Sequence, residues 1–229
     1  MPRPLILVTN DDGWDAPGLA ALTALAAELG EVCVVAPKEQ HSYSGHRISI
    51  DRPLLLEETG SRQFTLTGTP ADCVRVALTE LFPETSLVLA GINRGGNLGA
   101  DIYISGTVAA AREAALLGRP SIAISQYVRR DRQLDWEWSR RMAGPVVAQL
   151  MAESAAGKSY WNINLPHTET GSEARPVRCD PDDQPLDVRF RRERNEFHYS
   201  GDYRDRPRTP GRDVQHCFDG SITVSRLLL

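Results

Sequence analysis

Residues 10–13, Asn-Asp-Asp-Gly, set two carboxylates side by side where an apolar run beginning at residue 4 gives out. Neighbouring carboxylates repel, and burying even one of them unpaired is costly, so Asp11 and Asp12 are expected together only where a cation offsets them. Two more polar stretches follow apolar runs. Residues 38–46, KEQHSYSGH, carry Ser42, Ser44, Gly45 and His46; residues 91–107, GINRGGNLGADIYISGT, carry Asn93, Gly95, Gly96, Asn97, Ser105, Gly106 and Thr107. Singly, each has a bland reading: a capping or turn device for the aspartates, a surface turn for SYSGH, a glycine loop for NRGGNLG. Together they supply carboxylate, hydroxyl and amide oxygens, the donor set of a hard divalent cation such as Mg²⁺ or Mn²⁺. The glycines of NRGGNLG let backbone N–H groups approach an anion, and SGT at the start of a helix offers unpaired N–H donors with a favourable dipole. A metal beside a phosphate cradle points to phosphoryl chemistry.

The surrounding segments must bring these stretches to one place. Residues 4–10 and 31–37 are apolar runs of the kind buried on both faces of a parallel sheet, and residues 19–30 between them have helical spacing and end on Gly30. Thr69 and Pro70 mark a helix running to about Phe82; residues 86–91 and 120–125 read as strands around a helix over 105–118. The segments 47–58 and 62–68 read as more exposed strands, the first interrupted by Pro53. A last helix is expected between Asp131 and Ala156, kinked or restarted at Pro145, followed by a strand over 160–166. This alternation predicts an α/β, Rossmann-like, doubly wound, mostly parallel sheet, whose ligands sit at the carboxyl ends of the strands. The expected division is a core over 1–166 and an irregular C-terminal arm with a closing strand over 167–229, both parts of one functional domain. Interleaved Tyr, Phe and His in residues 190–203 favour an ordered β-hairpin arm over disorder.

The chain has 229 residues, 41% of them hydrophobic and 24% charged, enough to bury a sizeable core. A net charge of −4 gives no overall field for a nucleic acid polymer or an anionic membrane. No run approaches the roughly 20 apolar residues of a membrane span, and the apolar N-terminal run is too short for a secretion signal, so a cytoplasmic location is expected. Cys33, Cys73, Cys179 and Cys217 are scattered without metal-type spacing and read as reduced structural thiols. There is no GxxxxGK[ST], no GxGxxG after the first strand and no GxSxG, so nucleoside triphosphate, dinucleotide and esterase readings lose support.

Four segments, ILVTNDDGWDAPG, VVAPKEQHSYSGHRISI, TGTPADCVRVAL and GINRGGNLGADIYISGTVAAAREAALLGRPSIAIS, resemble in order and spacing the signatures of the SurE (survival protein E) family, metal-dependent 5′-nucleotidases. The resemblance is dense over residues 4–125 and resumes at NINLP. It implies a Rossmann-like sheet with one divalent metal ion, Asp11, Asp12, Ser42 and Asn93 standing where the family's ligands stand, and Asn97 with Ser105, Gly106 and Thr107 around the phosphate. The choice of Asn93 over Asn97 as ligand rests on the resemblance alone. Lys38 departs from a position often acidic in relatives, and after residues 221–227 the chain lacks a closing helix.

The expected reaction is metal-assisted hydrolysis of nucleoside 5′-monophosphates. Asn10, Ser44, Gly45, Gly95 and Gly96 would complete the phosphate and substrate contacts, and His46 would protonate the leaving alkoxide. Attack by metal-activated water and attack by Asp11 or Asp12 both remain open. So do a broader phosphatase or exopolyphosphatase and a metal-dependent nucleotide-binding module without turnover. A homodimer or homotetramer is expected from the arm and the resemblance.

Overall fold

The computed structural model describes residues 3–153, 159–186 and 188–229. The first βαβ unit forms as its pattern requires. Strand β1 (Leu5–Thr9) is buried along its length, helix α1 (Pro17–Leu29) starts with proline in its first turn, and β2 (Glu31–Pro37) pairs parallel to β1. Next come β3 (Leu56–Gly60), β4 (Gln63–Leu66), α2 (Pro70–Val76), β5 (Leu87–Arg94), α3 (Gly106–Leu116), β6 (Ser121–Gln126), α4 (Trp136–Ala152) and β7 (Ser159–Leu165). The C-terminal part adds β8 (Pro176–Arg178), the antiparallel hairpin β9 (Phe190–Glu193) and β10 (Glu196–Tyr199), the short helix α5 (Asp213–Phe218) and β11 (Ile222–Leu228).

The main sheet has the order β3-β4-β2-β1-β5-β6-β7-β11-β8, parallel from β4 to β7, with β3 antiparallel at one end and β11 antiparallel to β7 at the other. Its six central parallel strands, counted along the chain, lie in the doubly wound order 3-2-1-4-5-6. Alternation within β1 divides the core between the two faces. Ile6 and Val8 pack with Leu22 and Leu25 of α1 and Val146, Val147 and Leu150 of α4; Leu5 and Leu7 pack with Cys73 and Val74 of α2 and Ala110 and Ala114 of α3. The chain reverses direction across the sheet between β1 and β5, opening a crevice at their carboxyl ends.

Two expectations are corrected, the strand over 47–58 and the restart at Pro145. The strand read over 47–58 is confined to Leu56–Gly60, because its earlier backbone bonds to side chains: Ser49 N donates to Asp72 Oδ1 (2.9 Å) and Leu55 N to Thr67 Oγ1 (2.8 Å). The helix beginning at Pro70 runs on to Leu81, close to its expected end, with a wider last turn over Ala77–Leu81 closed by Phe82 N donating to Ala77 O (2.7 Å). Pro145 lies inside one continuous helix, on its exposed face, so the carbonyl it leaves without a donor is on the solvent side. The expected helix end near Ala156 lies outside the described residues. Among the described residues no helix is long and apolar enough to cross a membrane.

Candidate functional site

Asp11 and Asp12 leave β1 at the mouth of the crevice, and each is tied to a different neighbour. Asp11 is buried; the Thr107 hydroxyl, in the first turn of α3, donates to its Oδ1. Half-buried Asp12 accepts from Arg94 N at the end of β5 (Oδ2, 2.9 Å). The loop after β2 closes the third side, where His41 N donates to Asp11 O (2.8 Å) and Gly45 N to Ile104 O (3.0 Å), one residue before the Ser105 cap of α3. Thus the ends of β1, β2 and β5 and the start of α3, spread over almost a hundred residues of sequence, are bonded into one pocket wall.

The end of β5 is shaped by a register shift against β6 between Ala90 and Asn93. Gly91 sits in it at φ 135°, where a Cβ would come 2.2 Å from Ile124 O, so the chain here must be glycine. The shift carries Asn93 and Arg94 on as strand residues rather than loop. Asn93 Nδ2 donates to Gly95 O (2.8 Å), which leaves its carbonyl oxygen as the end able to face a cation. Ser42 is exposed and accepts from Gln40 Nε2 (2.7 Å); Lys38, the departure noted in the sequence, pairs outward with Glu57 (2.7 Å).

Electrostatics single out the aspartates. Burial, joined by the charge of Asp12, pushes the Asp11 carboxyl up to about 6 although Thr107 pulls it down; burial also raises Asp12 against the opposing Arg94 amide. Among the described residues neither carboxylate forms an ion pair with Lys or Arg. Ser44 Oγ and Asn10 Oδ1 are buried without a hydrogen-bond partner; a Cβ on Gly106 would lie 2.8 Å from Asp11 Cβ and 3.2 Å from Ser44 Oγ, which puts that orphan hydroxyl beside the carboxylate. Asn10 holds its orientation by donating from Nδ2 to Gly13 O (2.7 Å). Two adjacent carboxylates outside any ion pair, with spare hydroxyl and amide oxygens beside them, fit a hard divalent cation. No group of three His, Cys, Asp or Glu able to hold a metal occurs among the described residues, so a ligand set here must draw on Ser or Asn.

Helix α3 turns its N-terminus toward Asp11. Ser105 caps it by accepting from Val108 N (3.0 Å), and no acidic residue occupies the first turn to compete for the dipole. Asn97 is fixed by a buried network: its N–H donates to Asn164 Oδ1 (2.7 Å), its Nδ2 to Ser125 Oγ (2.7 Å), and its carbonyl accepts from Asn162 Nδ2 (2.9 Å). The sequence reading missed Asn162, Asn164 and Ser125 as supporting residues. The signal was two asparagines spaced by two in an apolar strand, hence on one face, where burial demands partners.

Two of the expected site residues are bonded to other parts of the chain. Gly95 N donates to Gln126 O (3.0 Å), so that amide is committed to the sheet and not offered to a phosphate; Gly96 keeps the role open only through its own amide. His46 Nε2 lies 2.6 Å from Glu113 Oε2, with Arg75 Nε on the other carboxylate oxygen (2.5 Å) and Arg112 Nη1 3.4 Å from His46 Nδ1. Glu113 is two turns beyond Gly106, about 10 Å along the helix axis, and it is there that His46 Nε2 is held. Burial alone would raise the Glu113 carboxyl, but the bonds from His46 and Arg75 outweigh it and hold it below the usual range. The four cysteines are free, and burial pushes the thiols of Cys33, Cys73 and Cys217 up.

Comparison with known proteins gives a consistent result. The family model described as "Survival protein SurE" matches residues 6–180. A Synechocystis protein named provisionally as a 5′-nucleotidase is 44% identical over 222 residues, covering 96% of this chain and 98% of its own. A "5′-nucleotidase SurE" of Paramagnetospirillum magneticum is 36% identical, covering 97% of this chain and 88% of its own. The crystal structure of a SurE protein from Aquifex aeolicus superposes with a TM-score of 0.88 at 30% identity, covering 98% of this chain and 93% of that one.

Proposed function

The chain belongs to the SurE family, and we propose accordingly that it is a divalent-metal-dependent 5′-nucleotidase that hydrolyses nucleoside 5′-monophosphates to nucleoside and phosphate. The observation that carries the reading is the pair Asp11 and Asp12, neither in an ion pair with Lys or Arg among the described residues, with Asp11 set against the first turn of α3. Asp11, Asp12, Ser42 and Asn93 would hold one Mg²⁺ or Mn²⁺. When bound, such an ion would polarise a phosphoryl oxygen and lower the pKa of an attacking water.

The remaining work falls to the chain itself. The Gly106 amide at the start of α3, the Ser44 hydroxyl and the second Nδ2 hydrogen of Asn97 would receive the phosphoryl oxygens, and the Thr107 hydroxyl would keep Asp11 in one orientation. His46, held against Glu113, enters this reading as a positioning residue for the 42–46 loop. The same reading takes the protein to be cytoplasmic and a homodimer or homotetramer. Exposed Phe190, Phe197 and Tyr199 on the β9–β10 arm support the assembly, and light scattering tests it.

The experiment is phosphate release from a panel of nucleoside 5′-monophosphates with Mg²⁺, Mn²⁺ or EDTA, alongside Asp11→Asn and Asp12→Asn. Metal-dependent turnover lost in both variants is expected. Tight nucleotide binding without phosphate release would overturn the reading.

A further inference from the structure

The arginine-rich C-terminal stretch, which the reaction just described does not use, lies against the glycine-rich loop between β5 and α3. Its contact begins in the short turn Tyr203–Asp205, opened by Asp202, whose side chain accepts from Arg204 N (2.9 Å). From this turn the Tyr203 hydroxyl donates to Asp101 Oδ2 (2.7 Å) and lies 3.2 Å from Gly96 O. Arg206 Nη1 donates to the same Asp101 oxygen (2.5 Å) and Nη2 to Leu98 O (3.3 Å), while its guanidinium sits 4.8 Å from the centre of the Tyr203 ring. The Arg206 and Asp101 side chains are only 10% and 12% exposed, so their pairing is not a solvated surface contact. From beneath, the buried Asp213 accepts from Gly99 N (2.9 Å) and Asp182 N (2.7 Å).

Among the described residues, the loop from Gly96 to Asp101 is held by its own short turn over Gly99–Tyr103, by the β6–β7 network around Asn97, by Tyr127 against Leu98, and by residues beyond 180 that bond Gly96, Leu98, Gly99 and Asp101. A loop this rich in glycine gives up much backbone entropy to hold one shape, and unassisted it would present Asn97 and Ser105 in many. We infer that Tyr203 and Arg206 are positioning residues: through Asp101 they hold the loop that joins Asn97 to the Ser105 cap, so the phosphate subsite is complete only with the C-terminal stretch docked. The inference rests on the proposed reading of that subsite and assigns to the arm a role in binding the phosphoryl group rather than the nucleoside.

The test uses the full chain with Arg206→Ala, Arg206→Lys and Tyr203→Phe. Arg191→Ala is the control, since Arg191 pairs with Glu193 within the β9–β10 hairpin, away from the Tyr203–Asp205 turn. Calorimetry reads binding of inorganic phosphate in Mn²⁺, and kinetics read KM and kcat for adenosine 5′-monophosphate and for phenyl phosphate, which has no base. Arg206→Ala should weaken phosphate binding about tenfold and raise KM for both esters by the same factor, as expected for losing a hydrogen-bonded charge. Tyr203→Phe should do so less, Arg206→Lys should recover part of the loss, and Mn²⁺ affinity should not change in any of them. Phosphate binding unchanged in Arg206→Ala, or a loss confined to the nucleotide, would overturn the inference. If Arg206→Ala does not fold, Tyr203→Phe, which removes one oxygen atom, decides. A wild type that binds phosphate but releases none defeats the proposed hydrolysis and leaves the phosphate-binding comparison to decide this point separately.

Discussion

Gly106 and Asp11 lie so close that a Cβ on the glycine would come 2.8 Å from Asp11 Cβ and 2.9 Å from Asp11 Oδ2. The start of α3 can approach the β1 carboxylate only because nothing intervenes, and that approach brings the Thr107 hydroxyl onto Asp11.

Gly106→Ala should therefore displace Asp11 or the first turn of α3. A destabilisation of about 1–3 kcal/mol, the usual range for overpacking, should appear in denaturant melts. Metal-dependent turnover should fall further than stability does, because the carboxylate itself is moved. A variant with full kcat would show that the Asp11 position tolerates the shift.

Divalent ions should stabilise the folded protein through the aspartates. At free Mn²⁺ about 100 times Kd, binding to the native state alone adds about 2.7 kcal/mol, visible as a rise in Tm that EDTA reverses. Asp11→Asn and Asp12→Asn should each abolish the rise. A rise that survives both substitutions would put the ion elsewhere.

Glu113 should govern acid sensitivity. Its folded-state pKa is depressed by His46 and Arg75, so its contribution is present above the unfolded carboxylate value and is lost as pH falls through the folded one. Stability should then drop as pH is lowered below about 4.5, near the unpaired glutamate value. Glu113→Gln should flatten that part of the curve and cost about 1–3 kcal/mol at neutral pH, the range for losing charged hydrogen bonds to a partner, Arg75, that stays partly solvated. An unchanged acid limb would mean that other carboxylates dominate it.

Asn164→Leu should leave the Asn97 N–H buried without an acceptor, a loss of about 1–3 kcal/mol. KM for nucleotide should rise while Mn²⁺ affinity holds, since the network supports the phosphate side and not the aspartates. Equal losses of both affinities would argue that β7 sets the whole crevice.

Much of the architecture is readable in order along the chain. The run 4–10, the helical spacing of 19–30 and the run 31–37 specify one βαβ unit, because the pattern of each segment lies among its own neighbours. The Thr69–Pro70 start and the Ser105 cap were legible for the same reason, each made by residues within three positions. Segment 47–58 misled because its alternation resembles a strand, whereas its backbone donors find Asp72 and Thr67, which no local pattern announces.

The candidate site divides along the same line. That Asp11 and Asp12 form an adjacent pair of like charges at the end of β1, and that Ser42, Asn93 and the start of α3 follow strand ends, is read from residue type and place in the α/β pattern. Which atoms meet was decided by packing. Glu113 on α3 holds His46 from the loop after β2, Asn164 on β7 holds the Asn97 amide, and the C-terminal stretch reaches back across a hundred residues to bind Asp101. Each of these contacts joins residues far apart in the chain, and the choice among chemically equivalent partners at such separations depends on the close packing of the folded molecule.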